Sequence, residues 1–119
     1  MQEQCCISMM IEMKKALQVL SRKKLGTLII QNIRKLTVGI ITDGQVRRLN
    51  QTNTNFQNLK VKKVMTRNPI SIDQNILAEK ALSIMNSNKI TSLCVHNKKN
   101  KKKTIGILHI HNILRLNIH

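Results

Sequence analysis

Lys24-Leu25-Gly26-Thr27-Leu28-Ile29-Ile30 recurs as Lys89-Ile90-Thr91-Ser92-Leu93-Cys94-Val95, 65 residues downstream. The same offset relates Ala16-Leu17-Gln18-Val19-Leu20 to Ala81-Leu82-Ser83-Ile84-Met85. Further along, Gly39-Ile40-Ile41 matches Gly106-Ile107-Leu108, and Arg48-Leu49-Asn50 matches Arg115-Leu116-Asn117, now 67 residues apart. The two extra residues fall in the segment 97–103, a loop where an insertion costs least. Self-similarity at one offset means one supersecondary unit used twice. Reading one unit therefore reads the fold.

Each unit begins with a helix, over residues 11–24 and 76–88. Apolar residues recur there at helical spacing: Met13, Ala16, Leu17 and Leu20 in the first, Ala78, Ala81, Leu82 and Met85 in the second. Asp73 stands just before the second helix, where a side-chain cap is favoured, and Glu79 in its first turns suits the dipole. A short strand follows, at 27–30 and 92–95. A polar turn leads to a second strand, at 37–41 and 104–108, apolar enough to be covered on both faces. A last helix starts near Gly44 and near His111. Before the second repeat, Val64-Met65-Thr66-Arg67-Asn68-Pro69-Ile70-Ser71-Ile72 reads as a turn into a short lead-in strand, with Pro69 setting the bend. By the offset, Cys5 and Cys6 fall on the matching strand, and burial is expected for them. The counterpart of Val64-Met65 would precede Met1. The first repeat is thus expected to lack its opening segment, as in a fragment or a chain divergent at its start.

Composition narrows the function. The chain has 119 residues, 41% of them hydrophobic, and Phe56 is the sole aromatic. The core must be aliphatic, and Met9, Met10, Met13 and Met85 are expected in core or interface packing. The formal net charge is +16, with only five acids: Glu3, Glu12, Asp43, Asp73 and Glu79. Such a charge points to nucleic acid, an anionic surface or phosphorylated ligands. A Lys-, Asn- and Ile-rich composition throughout the chain gives the same charge without any function. Without aromatic stacking residues, single-strand nucleic-acid recognition is disfavoured. The basic run at 97–103 reads as a solvated hairpin loop. Three cysteines, Cys5, Cys6 and Cys94, form neither a disulfide framework nor a zinc spacing, so a reduced, cytoplasmic protein is expected. No secretory signal or apolar stretch of membrane-spanning length is visible. The scattered acids form no carboxylate pair, and no Ser or Cys has an identifiable base. No catalysis is expected of this chain alone.

The βαββα order, the Val64–Ile72 segment and the Gly-hydrophobic-hydrophobic-Thr/His turn before each last helix resemble a tandem CBS domain pair, or Bateman module. More narrowly, Gly39-Ile40-Ile41-Thr42-Asp43-Gly44-Gln45-Val46-Arg47-Arg48-Leu49, Val64-Met65-Thr66-Arg67-Asn68-Pro69 and Gly106-Ile107-Leu108-His109-Ile110-His111-Asn112-Ile113-Leu114-Arg115 resemble the C-terminal CBS pair of D-arabinose-5-phosphate isomerases. The resemblance covers roughly residues 7–119. It implies two βαββα repeats, residues 1–60 and 61–119, packed about a pseudo-two-fold axis in an α/β (α+β) fold. It also implies an N-terminal sugar-isomerase domain in the parent protein, a place in the Kdo branch of lipopolysaccharide synthesis, pairing into a homodimer, and ligand clefts where repeats meet. The implied effector is a sugar nucleotide, CMP-Kdo, or an adenosine nucleotide. No other cofactor, no metal and no membrane partner is implied.

The candidate ligand residues are Thr42, Asp43, Arg47, Arg48, Thr66, Arg67, Asn68, Pro69, His109, His111 and Arg115. Thr42, Asp43 and Gly44 sit where a strand turns into a helix, whose free N–H groups and dipole favour a phosphate. Thr42 and Asp43 equally suit a plain helix cap. His109 and His111 would share a face of an extended segment and could donate to an anion. They could also be ordinary hydrogen-bonded histidines, and a metal would need further ligands, with Cys94 the only soft candidate. Residues 66–69 edge the cleft in the resembled pairs, or form only a turn with an exposed Arg67. CBS pairs that bind adenosine carry an Asp three residues after the Thr/Ser. Gln45 and Asn112 stand at those places here, and an amide is the weaker acceptor. Gln45 and Asn112 thus favour a second reading, a purely structural oligomerisation module. A third is a basic nucleic-acid-binding module.

Overall fold

An amphipathic helix face followed by two strands, written twice, gives an α/β chain with two sheets. The computed structural model describes residues 6–23, 26–52 and 55–116, the last three by their backbone alone. In chain order the elements are β1 (Cys6–Ser8), α1 (Met13–Lys23), β2 (Thr27–Gln31), β3 (Thr37–Thr42), α2 (Asp43–Gln51), α3 (Val61–Val64), β4 (Thr66–Arg67), β5 (Ser71–Asp73), α4 (Ala78–Asn88), β6 (Ser92–Asn97), β7 (Asn100–His109) and α5 (Ile110–Leu116). One sheet has the order β1-β2-β3-β4, the other β5-β6-β7. Among the described residues, 6–69 and 70–116 form two compact units.

In the first unit, Met13, Ala16 and Leu20 lie on one face of α1 and are buried against Leu28, Ile30 and Ile41 of the sheet. Phe56 and Val61 close this core. Truncating a side chain as buried as Met13 to Ala costs about 2–5 kcal/mol. β1 pairs parallel with β2, and β3 pairs antiparallel with β2 on one side and β4 on the other. β2 is buried from Thr27 to Ile30, as a strand covered on both faces must be. The second unit repeats this. Ala81 and Met85 of α4 are buried against Leu93 and Val95 of β6, with Ile72 and Ile113 beside them. β5 pairs parallel with β6, and β6 antiparallel with β7. The partners Cys6↔Ile29 and Ser71↔Cys94 keep the 65-residue offset, so the first repeat does own a lead-in strand.

Several local expectations change. Asp73 does not cap α4. It ends β5, and its Oδ1 accepts from the Asn75 N–H at 2.9 Å, turning the chain before the helix. The N-cap is Leu77, which makes no side-chain cap bond, while Glu79 does sit in the first turn. The basic segment is not a long loop: only Lys98 and Lys99 turn, and β7 starts at Asn100. Ladder partners jump from His96↔Thr104 to Asn97↔Asn100, so the extra residues are absorbed as a bulge within the hairpin. Met10 is half exposed rather than packed, and Cys6 is only partly buried.

The repeat boundary between residues 60 and 61 is not the packing boundary. Val61 is buried in the first core, and its N–H donates to the Ile11 carbonyl at 2.7 Å. Lys62 N–H donates to the Met9 carbonyl at 3.1 Å, and β4 joins the first sheet. Residues 61–69 therefore belong to the first compact unit. No helix of the described residues is long and apolar enough to cross a membrane.

Candidate functional site

α2 opens on a threonine cap followed by an acid and a glycine. Thr42 is its N-cap, extended at φ −113° and ψ 157°, and its Oγ1 accepts from the Gln45 N–H at 3.2 Å. A Thr cap of this kind contributes about 1 kcal/mol. Asp43 N–H donates to the Gly26 carbonyl at 3.0 Å. Two of the N–H groups that a phosphate would use are thus already engaged within the unit. The remaining first-turn position is Gly44. A Cβ placed there would lie 3.6 Å from Nη1 of Arg48, so the Arg48 guanidinium rests over the bare glycine. Arg48 and Arg47 are exposed, as is Asp43.

Thr42-Asp43-Gly44-Gln45 has the spacing of a capping box, in which the fourth side chain reaches back to the cap. Here it goes elsewhere. Gln45 Nε2 donates to the Val64 carbonyl at 2.6 Å, and Thr66 Oγ1 donates to Gln45 Oε1 at 3.5 Å. The Gln45 amide therefore bridges α2 to the end of α3 and the start of β4. The structure brings Thr42, Gly44, Gln45, Arg48 and Thr66 together through these contacts.

Arg67 lies on β4 opposite Gly39 and is exposed. Gly39 is needed there: a Cβ would lie 2.5 Å from Met65 Sδ and 2.9 Å from the Thr66 carbonyl oxygen. Asn68 adopts the left-handed region at φ 50°, and its N–H donates to the Val38 carbonyl at 3.4 Å. Asn tolerates that region better than most residues. Pro69, partly buried, ends the unit.

The second unit uses a different device at the matching place. Asn112 Oδ1 accepts from the His109 N–H at 2.9 Å, and His109 Nδ1 accepts from the His111 N–H at 3.2 Å. With Nδ1 an acceptor, neutral His109 carries its proton on Nε2. The two rings stack with centroids 4.7 Å apart. Burial pushes the His109 imidazole below its ordinary value of 6.5, and His111 pushes it the same way. At neutral pH His109 offers an N–H donor, not a charge. Among the described residues no three His, Cys, Asp or Glu side chains gather as a metal group. Arg115 lies on α5, and its side chain is outside the described residues.

Gln45 is engaged inside its own unit through both amide atoms, and Asn112 through its Oδ1. The three-residue step from His109 to Asn112 is a local signal that could have found the Asn112 bond. Nothing local foretold the Gln45–Val64 bond, which joins residues 19 apart.

Residues 61–119 match the CBS domain family. Arabinose 5-phosphate isomerase KdsD of Yersinia pestis is 36% identical over 106 residues, which are 89% of this chain and 31% of that protein. The chain thus spans about a third of that relative's length. The CBS-domain containing protein ATU1752 of Agrobacterium tumefaciens superposes with a TM-score of 0.86 at 16% identity, covering 98% of this chain and 86% of that one. The CBS domain pair of protein MJ0100, in complex with 5-methylthioadenosine and S-adenosyl-L-methionine, superposes with a TM-score of 0.82 at 20% identity, covering 98% and 90%.

Proposed function

This chain is a CBS domain pair, and from that premise we propose that it is a regulatory, ligand-sensing module rather than a catalyst. Its ligand is a phosphate-bearing nucleotide, and its role is to bias an arabinose-5-phosphate isomerase domain carried in the same parent chain. The observation that carries this reading is the α2 entrance, where the Thr42 cap, the bare Gly44 and the Arg48 guanidinium meet. A positive helix end plus a guanidinium favours a phosphate. Thr66, Arg67 and Asn68 supply polar groups on the neighbouring β4 segment; His109 and His111 stand at the matching place of the second unit, as a candidate site of its own. MJ0100 binding adenosine compounds supports a nucleoside ligand as a class. The internal use of Gln45 and of the Asn112 Oδ1 argues against ribose recognition by those groups, for CMP-Kdo and for an adenosine nucleotide alike, and leaves the phosphate as the part of either ligand that the α2 entrance suits. Such a ligand regulates only by binding one state of the isomerase better than another.

The test is a thermal-shift series with CMP-Kdo, CMP, AMP, ATP and S-adenosylmethionine. A ligand at 100 times its Kd adds about 2.7 kcal/mol, a shift of several degrees for a chain of this size. A shift with CMP-Kdo that Arg48→Ala removes supports the reading. A shift with AMP alone moves the effector to an adenosine nucleotide. No shift with any of the five, together with a dimer in sedimentation, supports the structural module instead. Gln45, tied within its own unit, is the observation that favours that second reading.

A further inference from the structure

Each unit raises a hairpin tip that is basic, exposed and held rigid by the same device. In the first, the Asn32 Oδ1 accepts from the N–H groups of Arg34 at 2.9 Å and Leu36 at 3.0 Å. Asn32 N–H donates to the Leu36 carbonyl at 3.0 Å, and Lys35 sits in the left-handed region at φ 63°. In the second, the Asn97 Oδ1 accepts from Lys99 N–H and Asn100 N–H, both at 3.0 Å, and the Asn100 Oδ1 accepts from Lys102 N–H at 3.0 Å. Asn32 and Asn97 stand 65 residues apart, the offset of the repeat itself. An Asn side chain that accepts from its own turn fixes the loop, so the tip loses little backbone freedom on meeting a surface.

These tips present cations and one apolar side chain. Lys98, Lys99, Lys101, Lys102 and Lys103 are all exposed, as are Arg34 and Lys35. Ile33, between Asn32 and Arg34, is 98% exposed. Neither hairpin, residues 27–42 or 92–109, contains an acid to neutralise it. Lysines on β7, an edge strand, also guard that edge against pairing. Edge protection needs no apolar residue held out in water, and it does not concern Ile33, which lies in a turn of the other sheet.

We propose that the Lys98–Lys103 hairpin tip docks this protein on a bilayer surface rich in anionic phospholipid, and that the Ile33–Lys35 tip of the other unit, taken by itself, is built for the same surface. The lysine-only tip supplies hydrated point charges on long stems that reach a phosphate layer, each contributing about 1 kcal/mol near such a surface. Ile33 gains by leaving water for the acyl boundary, and Arg34 and Lys35 beside it stay at the headgroups. A nucleic acid is the poorer fit. Phe56, the sole aromatic, is buried and cannot stack on bases, and the Lys98–Lys103 tip has no guanidinium fork for base edges.

The test is co-sedimentation of the full chain with vesicles of phosphatidylcholine, with and without phosphatidylglycerol, at low and high salt. The expected result is partition onto the phosphatidylglycerol vesicles only, weakened by salt. Replacing Lys98, Lys99, Lys101, Lys102 and Lys103 by Gln lowers that partition roughly a hundredfold or more. In the lysine-replaced chain, Ile33→Ser lowers the residual partition several-fold with no further change of charge. Both variants keep the wild-type melting temperature, since the replaced side chains are exposed. No partition onto phosphatidylglycerol vesicles overturns the proposal. So does partition unchanged by the lysine replacements, or tight duplex DNA binding that Ile33→Ser leaves unaltered while vesicles are ignored. Ligand binding at α2 is independent of all these outcomes.

Discussion

Replacing Gly39 by Ala puts a methyl group where β4 crosses β3. The new Cβ would lie 2.5 Å from Met65 Sδ, 2.8 Å from Met65 Cγ and 2.9 Å from the Thr66 carbonyl oxygen. The thioether can swing aside, but the carbonyl is backbone, so β4 itself must move. β4 pairs with β3 at two residues, Arg67 and Thr66, opposite Gly39 and Ile40, with the long Asn68 N–H to Val38 carbonyl bond just beyond, and gives way at moderate cost. Overpacking of this kind costs about 1–3 kcal/mol. Against it, losing a glycine from the unfolded chain returns about 0.4–1 kcal/mol, because no glycine among the described residues has a positive φ. The net expectation is a destabilisation of about 1–2 kcal/mol, or a fall in Tm of about 5–10 °C. Gly26→Ala is the control: nothing lies within 4 Å of its Cβ, so the entropic gain stands alone and Tm rises. The assay is urea and thermal unfolding followed by circular dichroism. Combining Gly39→Ala with Met65→Ala should be less damaging than the sum of the two, since the second removes part of the clash. Gly39→Ala variants as stable as wild type, or Gly39 and Gly26 variants shifting in the same direction, would refute the close approach of β4.

Two further perturbations probe the candidate site. Gln45→Ala removes a half-buried neutral hydrogen bond to the Val64 carbonyl and should cost about 1 kcal/mol in urea unfolding, whereas Gln45→Glu cannot donate that bond and should be no better than Ala. The second concerns pH. His109 has a folded pKa below its ordinary value, so the unfolded chain binds the proton more readily and stability must fall as pH drops. The loss starts as pH falls through about 6.5, where the unfolded imidazole titrates, and levels off below the lowered folded value. His109→Gln should flatten that part of the Tm-against-pH curve, and an NMR titration placing His109 above 6.5 would contradict the direction.

Much of the fold was legible because repetition is visible without any knowledge of contacts. One offset aligned helix with helix and strand with strand, and the helical spacing picked out Met13, Ala16, Leu20, Ala81 and Met85, all buried. The α2 cap at Thr42 was equally plain, since a hydroxyl at a strand–helix turn meets free N–H groups wherever it occurs. What failed was local chemistry with two solutions. Asp73 could cap a helix or close a turn, and the length of the turn before Ala78 decided for the turn. A run of lysines reads as loop because Lys is a poor strand former, yet pairing with β6 carried β7 back to Asn100.

The sequence by itself determined the repeated α/β unit, the buried helix faces and the aliphatic core. These depend on periodicity and on free energies of transfer that each residue carries with it. Only the tertiary structure decided that residues 61–69 pack with the first unit, that Met65 lies over Gly39, and that Gln45 is spent on Val64. Each of those depends on which segments meet across tens of residues of chain, and a side-chain amide or a bare Cα carries no sign of the partner that the fold will bring to it.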